Sequence, residues 1–152
     1  MIARTLKPRR AGFTIVEILT ALVVIAVLAA IAVPMWRNHL LRVQRGDAVA
    51  ALVAVQNEQD TFFGRNARYA DGTQLTAPPP AGLGLTSRSK RNFYDIEVRT
   101  NADGLSYLAI ARAAPQSGQS ADTRCAEFTL DHNGRRRAVD SEGRDRSADC
   151  WH

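Results

Sequence analysis

Residues 18–33, ILTALVVIAVLAAIAV, carry no charged side chain. Apolar character continues to Trp36, so the run 18–36 approaches the ~20 residues needed to cross a bilayer as a helix. A secretory signal is the competing explanation, but its apolar core spans about 7–15 residues and ends in a small-residue cleavage site. Here Ala29 and Ala30 lead straight into Ile31, Ala32, Val33 and Pro34. The run therefore reads as one transmembrane helix. Arg4, Lys7, Arg9 and Arg10 precede it, which holds the amino end in the cytoplasm and sends everything after Trp36 outside. These cations also supply most of the net charge of +5, leaving only +1 on residues 13–152. Basicity thus speaks for membrane orientation more than for a nucleic-acid partner. With 45% hydrophobic and 23% charged residues over 152 positions, the chain has room for one folded domain and is not composed like a disordered one.

Glu17 is the anomaly, a carboxylate one turn into the apolar segment. Alone, it is explained by snorkelling to the interface and by the positive end of the helix dipole, worth about 0.3–1 kcal/mol. Its left-hand context changes the reading. Arg10-Ala11-Gly12-Phe13-Thr14-Ile15-Val16-Glu17 closely resembles the type III signal of type IV pilins, in which a short basic leader ends in Gly, Phe follows, and Glu stands five residues after the Gly. The resemblance implies cutting between Gly12 and Phe13 by a prepilin peptidase, and N-methylation of Phe13. The new amine at Phe13 offers Glu17 a positive mate on a neighbouring subunit. In a low-dielectric helix bundle that pairing makes Glu17 a registration device.

Pro34 removes one helix hydrogen bond near the end of the apolar run and is expected to kink the axis. Beyond it, residues 37–70 read as an amphipathic helix, with Leu41, Ala48, Leu52, Val55, Phe62 and Phe63 forming one apolar stripe. Arg42, Gln44, Arg45, Asp47, Gln56, Glu58 and Asp60 fall largely on other faces. Arg45-Gly46-Asp47 spells an adhesion tripeptide, but such a motif needs an exposed loop tip, and here it lies within the helical pattern. Residues 71–92 are rich in Pro, Gly, Ser and Thr and read as a long irregular connection, with Pro78-Pro79-Pro80 as a stiff spacer. From Tyr94 the residues alternate apolar and polar to Arg99, a half-buried strand. Asn101-Ala102-Asp103-Gly104 supplies a turn, and 105–113 the next strand. Residues 127–131 and 136–139 form a second hairpin about Asn133-Gly134. No repeat is evident.

Cys125 and Cys150 both lie on the outer side of the membrane run, and an even count there fits a disulfide in an oxidising compartment. Redox chemistry would favour a C-x-x-C pair, which is absent. The order Cys125, Phe128-Thr129-Leu130-Asp131, Gly134, Ala138, then Cys150-Trp151 looks like the PilE-type minor pilins, whose C-terminal region is likewise closed by a disulfide. The resemblance covers residues 1–36 and the last thirty. It implies an α+β type IV pilin fold: a long N-terminal helix packed on a small antiparallel β-sheet with a disulfide-closed C-terminal region. The expected division is a removable leader at 1–12, an assembly helix at 13–36, and a periplasmic head at 37–152 whose sheet and tail occupy 93–152.

Candidate chemistry is sparse. His39, His132 and His152 are scattered, with no nucleophile–base set or phosphate loop, so no enzyme activity is expected. Asp131, Asn133 and Asp140 raise calcium, but the spacing of a calcium loop is not met, and no metal or cofactor is expected. Arg135-Arg136-Arg137 with Arg88, Lys90 and Arg91 could form a phosphate-binding patch, offset by Asp131, Asp140, Glu142 and Asp145. The expected function is a minor pilin, working in pilus biogenesis and so in twitching motility, adhesion or DNA uptake. Its expected partners are other pilins, the prepilin peptidase and the inner-membrane assembly machinery. It would be held in the inner membrane by a single pass before entering an extracellular pilus. The alternatives are a type II secretion pseudopilin and a DNA-binding competence pilin.

Overall fold

The computed structural model describes residues 13–151. Gly12 and the rest of the basic leader, together with His152, lie outside the described residues. The chain divides into two compact units, residues 1–38 and 39–152. Helix α1, Ile15–Asn66, begins in the first and ends in the second. In the first unit it carries only exposed side chains, and Pro34 lies inside the helix. Within the second unit, the head, its buried positions are Asp47, Ala48, Leu52, Val55, Gln59 and Phe62, which recur at helical spacing along one face. Asp47 belongs to this buried set, and Arg45 is largely covered as well. Both depart from the polar-face expectation because partners elsewhere in the head satisfy them. The helix stops at Asn66, four residues short of the expected end at residue 70, and Ala67 turns to a φ of 52° with its N–H bonded to Phe63 O.

Four antiparallel strands follow as a meander in the order β1-β2-β3-β4: β1 Tyr94–Thr100, β2 Tyr107–Ala113, β3 Glu127–Asp131 and β4 Arg136–Val139. Tyr94, Ile96 and Val98 point inward, as the alternation of β1 requires. Register brings Ile96 opposite Ala111, Ala111 opposite Phe128, and Phe128 opposite Ala138, so one row of small and large side chains crosses the sheet. That row and the stripe of α1 form the core, with Leu52 and Phe128 fully enclosed. Tyr94 meets Phe128 edge-on at 5.8 Å, and Trp151 meets the same ring at 5.8 Å.

Both margins of the sheet are covered in part. Along β1, Ser89 N–H donates to Tyr94 O, and Ile96 N–H to Ser87 O. Along β4, Arg146 N–H donates to Ala138 O, while Ala138 N–H donates to Ser147 Oγ. The segment that covers β4 ends in α2, Ser147–Cys150, and is fixed by the disulfide Cys125–Cys150, with Cα atoms 6.0 Å apart. The α+β fold expected from the sequence, including its C-terminal disulfide, is the fold observed.

Candidate functional site

The N-terminal element is built from a helix cap. Thr14 stands just before α1, and its Oγ1 accepts the Glu17 N–H at 3.2 Å, while Ile18 N–H reaches Thr14 O at 3.2 Å. Thr14-x-x-Glu17 has the spacing of a capping box, a local signal that the membrane and dipole arguments for Glu17 do not use. Phe13 is 77% exposed at the end of this cap. Glu17 occupies the first turn, where the dipole favours a negative charge, and among the described residues no cation pairs with it. From Phe13 to Trp36 large apolar side chains stand uncovered, and α1 is long and apolar enough to cross a membrane. Among the described residues there is thus a single N-terminal helix fit to span a membrane.

A second constellation ties α1 to the loop between β2 and β3. Arg45 donates through Nε and Nη2 to the two carboxylate oxygens of Asp122, at 2.7 and 2.9 Å. Gln119, fully buried, donates through Nε2 to Asp122 Oδ2 at 2.9 Å and to Leu41 O at 3.3 Å. Asp47 accepts the backbone N–H of Arg91 at 3.2 and 3.3 Å. The tripeptide Arg45-Gly46-Asp47 therefore lies inside a helix with both charges engaged, which leaves no adhesive loop. Tyr94, also fully buried, lies among these groups, and burial pushes its hydroxyl above the ordinary range, with Asp122 adding to the effect.

The C-terminal region repeats one device. Asp131-His-Asn-Gly134-Arg135 and Asp140-Ser-Glu-Gly143-Arg144 fold alike. In each, the Asp Oδ1 accepts N–H groups two and four residues on, at 2.9 and 2.8 Å in the first turn and 3.0 Å for both in the second. Each Gly has a positive φ, 75° and 81°, a conformation that favours glycine. An echo of five residues, two of them shared turn formers, is too short to stand out in the sequence. Burial works to raise Asp140, but hydrogen bonds from Arg144, from the backbone and from Arg146 outweigh it and hold the carboxyl well below the usual range. These carboxylates are thus engaged by protein donors, and among the described residues no group of three metal-ligating side chains comes together.

The arginine patch is less uniform than its sequence. Arg135, Arg136 and Arg137 are all exposed. Arg136 lies over the Trp151 ring at 5.4 Å, and Arg137 reaches Asp145 at 3.5 Å. Arg88 pairs with Asp95 at 3.1 Å, whereas Lys90 and Arg91 are exposed and form no ion pair among the described residues. Across the outer face of the sheet Glu97 sits between Arg99 and Arg112, whose hydrogen bonds hold its carboxyl below the usual range, and Arg112 continues to Glu127 at 2.7 Å.

The family described as type IV minor pilin ComP, DNA uptake sequence receptor, matches residues 34–129, more than half of the chain. The chain belongs to the type IV pilin family. A prokaryotic N-terminal methylation motif matches residues 7–33 of this pilin, the stretch that contains Gly12, Phe13 and Glu17. The type IV major pilin protein PilA of Myxococcus xanthus is 33% identical over 97 residues, covering 63% of this pilin and 44% of that protein. The type II secretion system core protein G of Aeromonas hydrophila is 32% identical over 63 residues, covering 41% of this chain and 44% of that one. The pilin thus spans less than half the length of either relative. A type IV pilin structure from Shewanella oneidensis superposes with a TM-score of 0.50 at 22% identity, covering 74% of this chain and 98% of that one. That likeness speaks to the fold alone. Assembly into pilus-like structures is the general role of that family.

Proposed function

We propose that this pilin is a minor subunit of a type IV pilus, cut between Gly12 and Phe13, N-methylated on Phe13, and assembled through α1. The observation that carries the reading is the capped helix start. Phe13 is exposed at the tip, Glu17 lies in the first turn, and an uncovered apolar face follows at once. In the membrane that face is solvated by lipid; in a filament core it exchanges lipid for neighbouring helices of similar apolarity, so hydrophobicity alone gives the exchange little direction. Charge supplies the register. The Phe13 amine of one subunit meets the Glu17 carboxylate of the next, and two charges that are each costly in an apolar core become a pair. The head stays on the outer side of the membrane throughout, and the chain works by assembly rather than by catalysis. The prepilin peptidase and the inner-membrane assembly machinery are its partners on this route. Mass spectrometry of the native amino end and quantification in sheared pili test it. A methylated Phe13 end and a few copies per filament are expected, with Glu17→Ala retained in the membrane but reduced in pili. An uncut end, or wild-type incorporation of Glu17→Ala, overturns the reading.

A second reading, DNA binding during uptake, is favoured by the matched family, described as a DNA uptake sequence receptor, and by the exposed Arg135, Arg136, Lys90 and Arg91. Phosphate contacts by such residues weaken steeply with salt. Titration of the full-length pilin with labelled duplex at several salt concentrations tests it. Loss of binding on Arg135→Ala with Arg136→Ala supports the reading, and an unchanged affinity overturns it.

A further inference from the structure

A groove of about 540 Å³ opens between α1 and the loop that leads into β1. Ala51, Ala54 and Val55 of the helix face Leu85 and Ile96 across it, so its walls are apolar. Two of the charges at its rim are engaged, Arg88 by Asp95 and Asp47 by the Arg91 N–H. Lys90 is exposed there and forms no ion pair among the described residues.

The head also carries a knob. Leu105, at the turn between β1 and β2, is 55% exposed, more than any other large apolar side chain among the described residues of the head. Asp103 stands beside it, exposed and, among the described residues, without an ion pair, and its Oδ1 accepts the Leu105 N–H at 2.7 Å. The turn is held from several sides. Gly104 O accepts Tyr69 N–H at 2.8 Å, Gly104 N–H donates to Asn101 O at 3.1 Å, and Ser106 N–H donates to Asn101 Oδ1 at 3.0 Å. Such a tip needs little further ordering to bind.

We propose that the groove receives the β1–β2 turn of a second copy of this chain, with Leu105 between the helix and Ile96 and Asp103 against Lys90. An apolar knob flanked by an acid meets an apolar groove rimmed by a lysine, so polarity and charge agree. Both halves belong to one head but lie on different patches. The contact is therefore heterologous and does not close into a two-fold dimer. The inference rests on the assembly of pilins as a family property, but not on processing at Phe13 or on the minor class.

Two differently tagged full-length copies, one Leu105→Cys and one Ala54→Cys, are co-expressed and oxidised in membranes. A mixed-tag disulfide dimer is expected, at a yield well above that of Ser141→Cys paired with Ala54→Cys. Lys90→Glu in the groove copy lowers the yield about threefold, and Asp103→Lys in the knob copy restores it. Equal cross-linking from Ser141, no cross-link, or indifference to the charge exchange each overturn the proposal. Because the readout is in membranes, a chain absent from sheared pili that still links 105 to 54 defeats the pilus reading and leaves this one standing. The Lys90→Glu variant also separates a lost contact from a lost fold, since its far-UV circular dichroism should match wild type.

Discussion

Arg45 and Asp122 meet through two hydrogen bonds across 77 residues of chain, with side chains only 11% and 3% exposed. A bidentate guanidinium–carboxylate pair fixes geometry as well as charge, so it locks the β2–β3 loop to α1. Breaking a buried pair by removing one partner leaves an uncompensated charge and costs about 3–5 kcal/mol. Asp122→Ala is expected to lose stability on that scale in denaturant titration of the detergent-solubilised chain. Replacing both, Arg45→Met with Asp122→Leu, should recover most of the loss. A double variant as weak as Asp122→Ala would contradict this account.

Gln59 makes a second clamp. It is fully buried on the apolar stripe, donating from Nε2 to Ala70 O and accepting Ala70 N–H on Oε1, both at 2.8 Å. Gln59→Leu keeps the bulk but strands two backbone groups, each at about 1–3 kcal/mol. Native-state hydrogen exchange should show the Ala70 amide losing its protection in that variant.

Acid should loosen the tail. Asp140 has a depressed value in the folded state, so below the ordinary 3.8 the unfolded chain binds the proton first. Its contribution is complete above that value and is lost as pH falls through the folded one. Stability should therefore decline from about pH 5 downward, more gently in Asp140→Asn, which is already weaker at neutral pH. Urea midpoints measured against pH give the comparison, and parallel curves for the two proteins would remove Asp140 from the explanation.

The disulfide closes a loop with a sequence separation of 25. Chain entropy assigns such a loop about 3.5 kcal/mol. Cys125→Ser with Cys150→Ser should lower stability by that order and expose the residues after Val139 to limited proteolysis before the sheet is cut.

Gly143 has a φ of 81° with nothing near an added Cβ, so conformation alone sets the cost of replacing it. Gly143→Ala is expected to cost about 1–2 kcal/mol and Gly143→Asn clearly less. Equal losses by thermal unfolding would point to packing instead.

Much of this architecture was legible residue by residue. The alternation from Tyr94 to Arg99 and the turn dipeptide Asn133-Gly134 are local signals, and the strands stand within a few residues of where those signals lie. The apolar stripe of α1 marked Ala48, Leu52, Val55 and Phe62 as core. What escaped was the buried polar set, Asp47, Gln59, Gln119 and Asp122. Polarity predicts exposure unless a partner is known, and besides bonding each other Gln119 and Asp122 depend on partners 78 and 77 residues away, Leu41 and Arg45. At the N-terminus, the expectation for Gly12, Phe13 and Glu17 rests on the order of a short motif, not on packing.

The covering of both sheet margins has a further consequence. Where segments 87–89 and 146–147 already occupy the rims, the backbone has no free ladder to lend, so crowded copies are less able to zipper into amyloid-like stacks there. They must recognise one another through side-chain texture, which a few substitutions can retune. New pilin pairings can then evolve without disturbing the sheet.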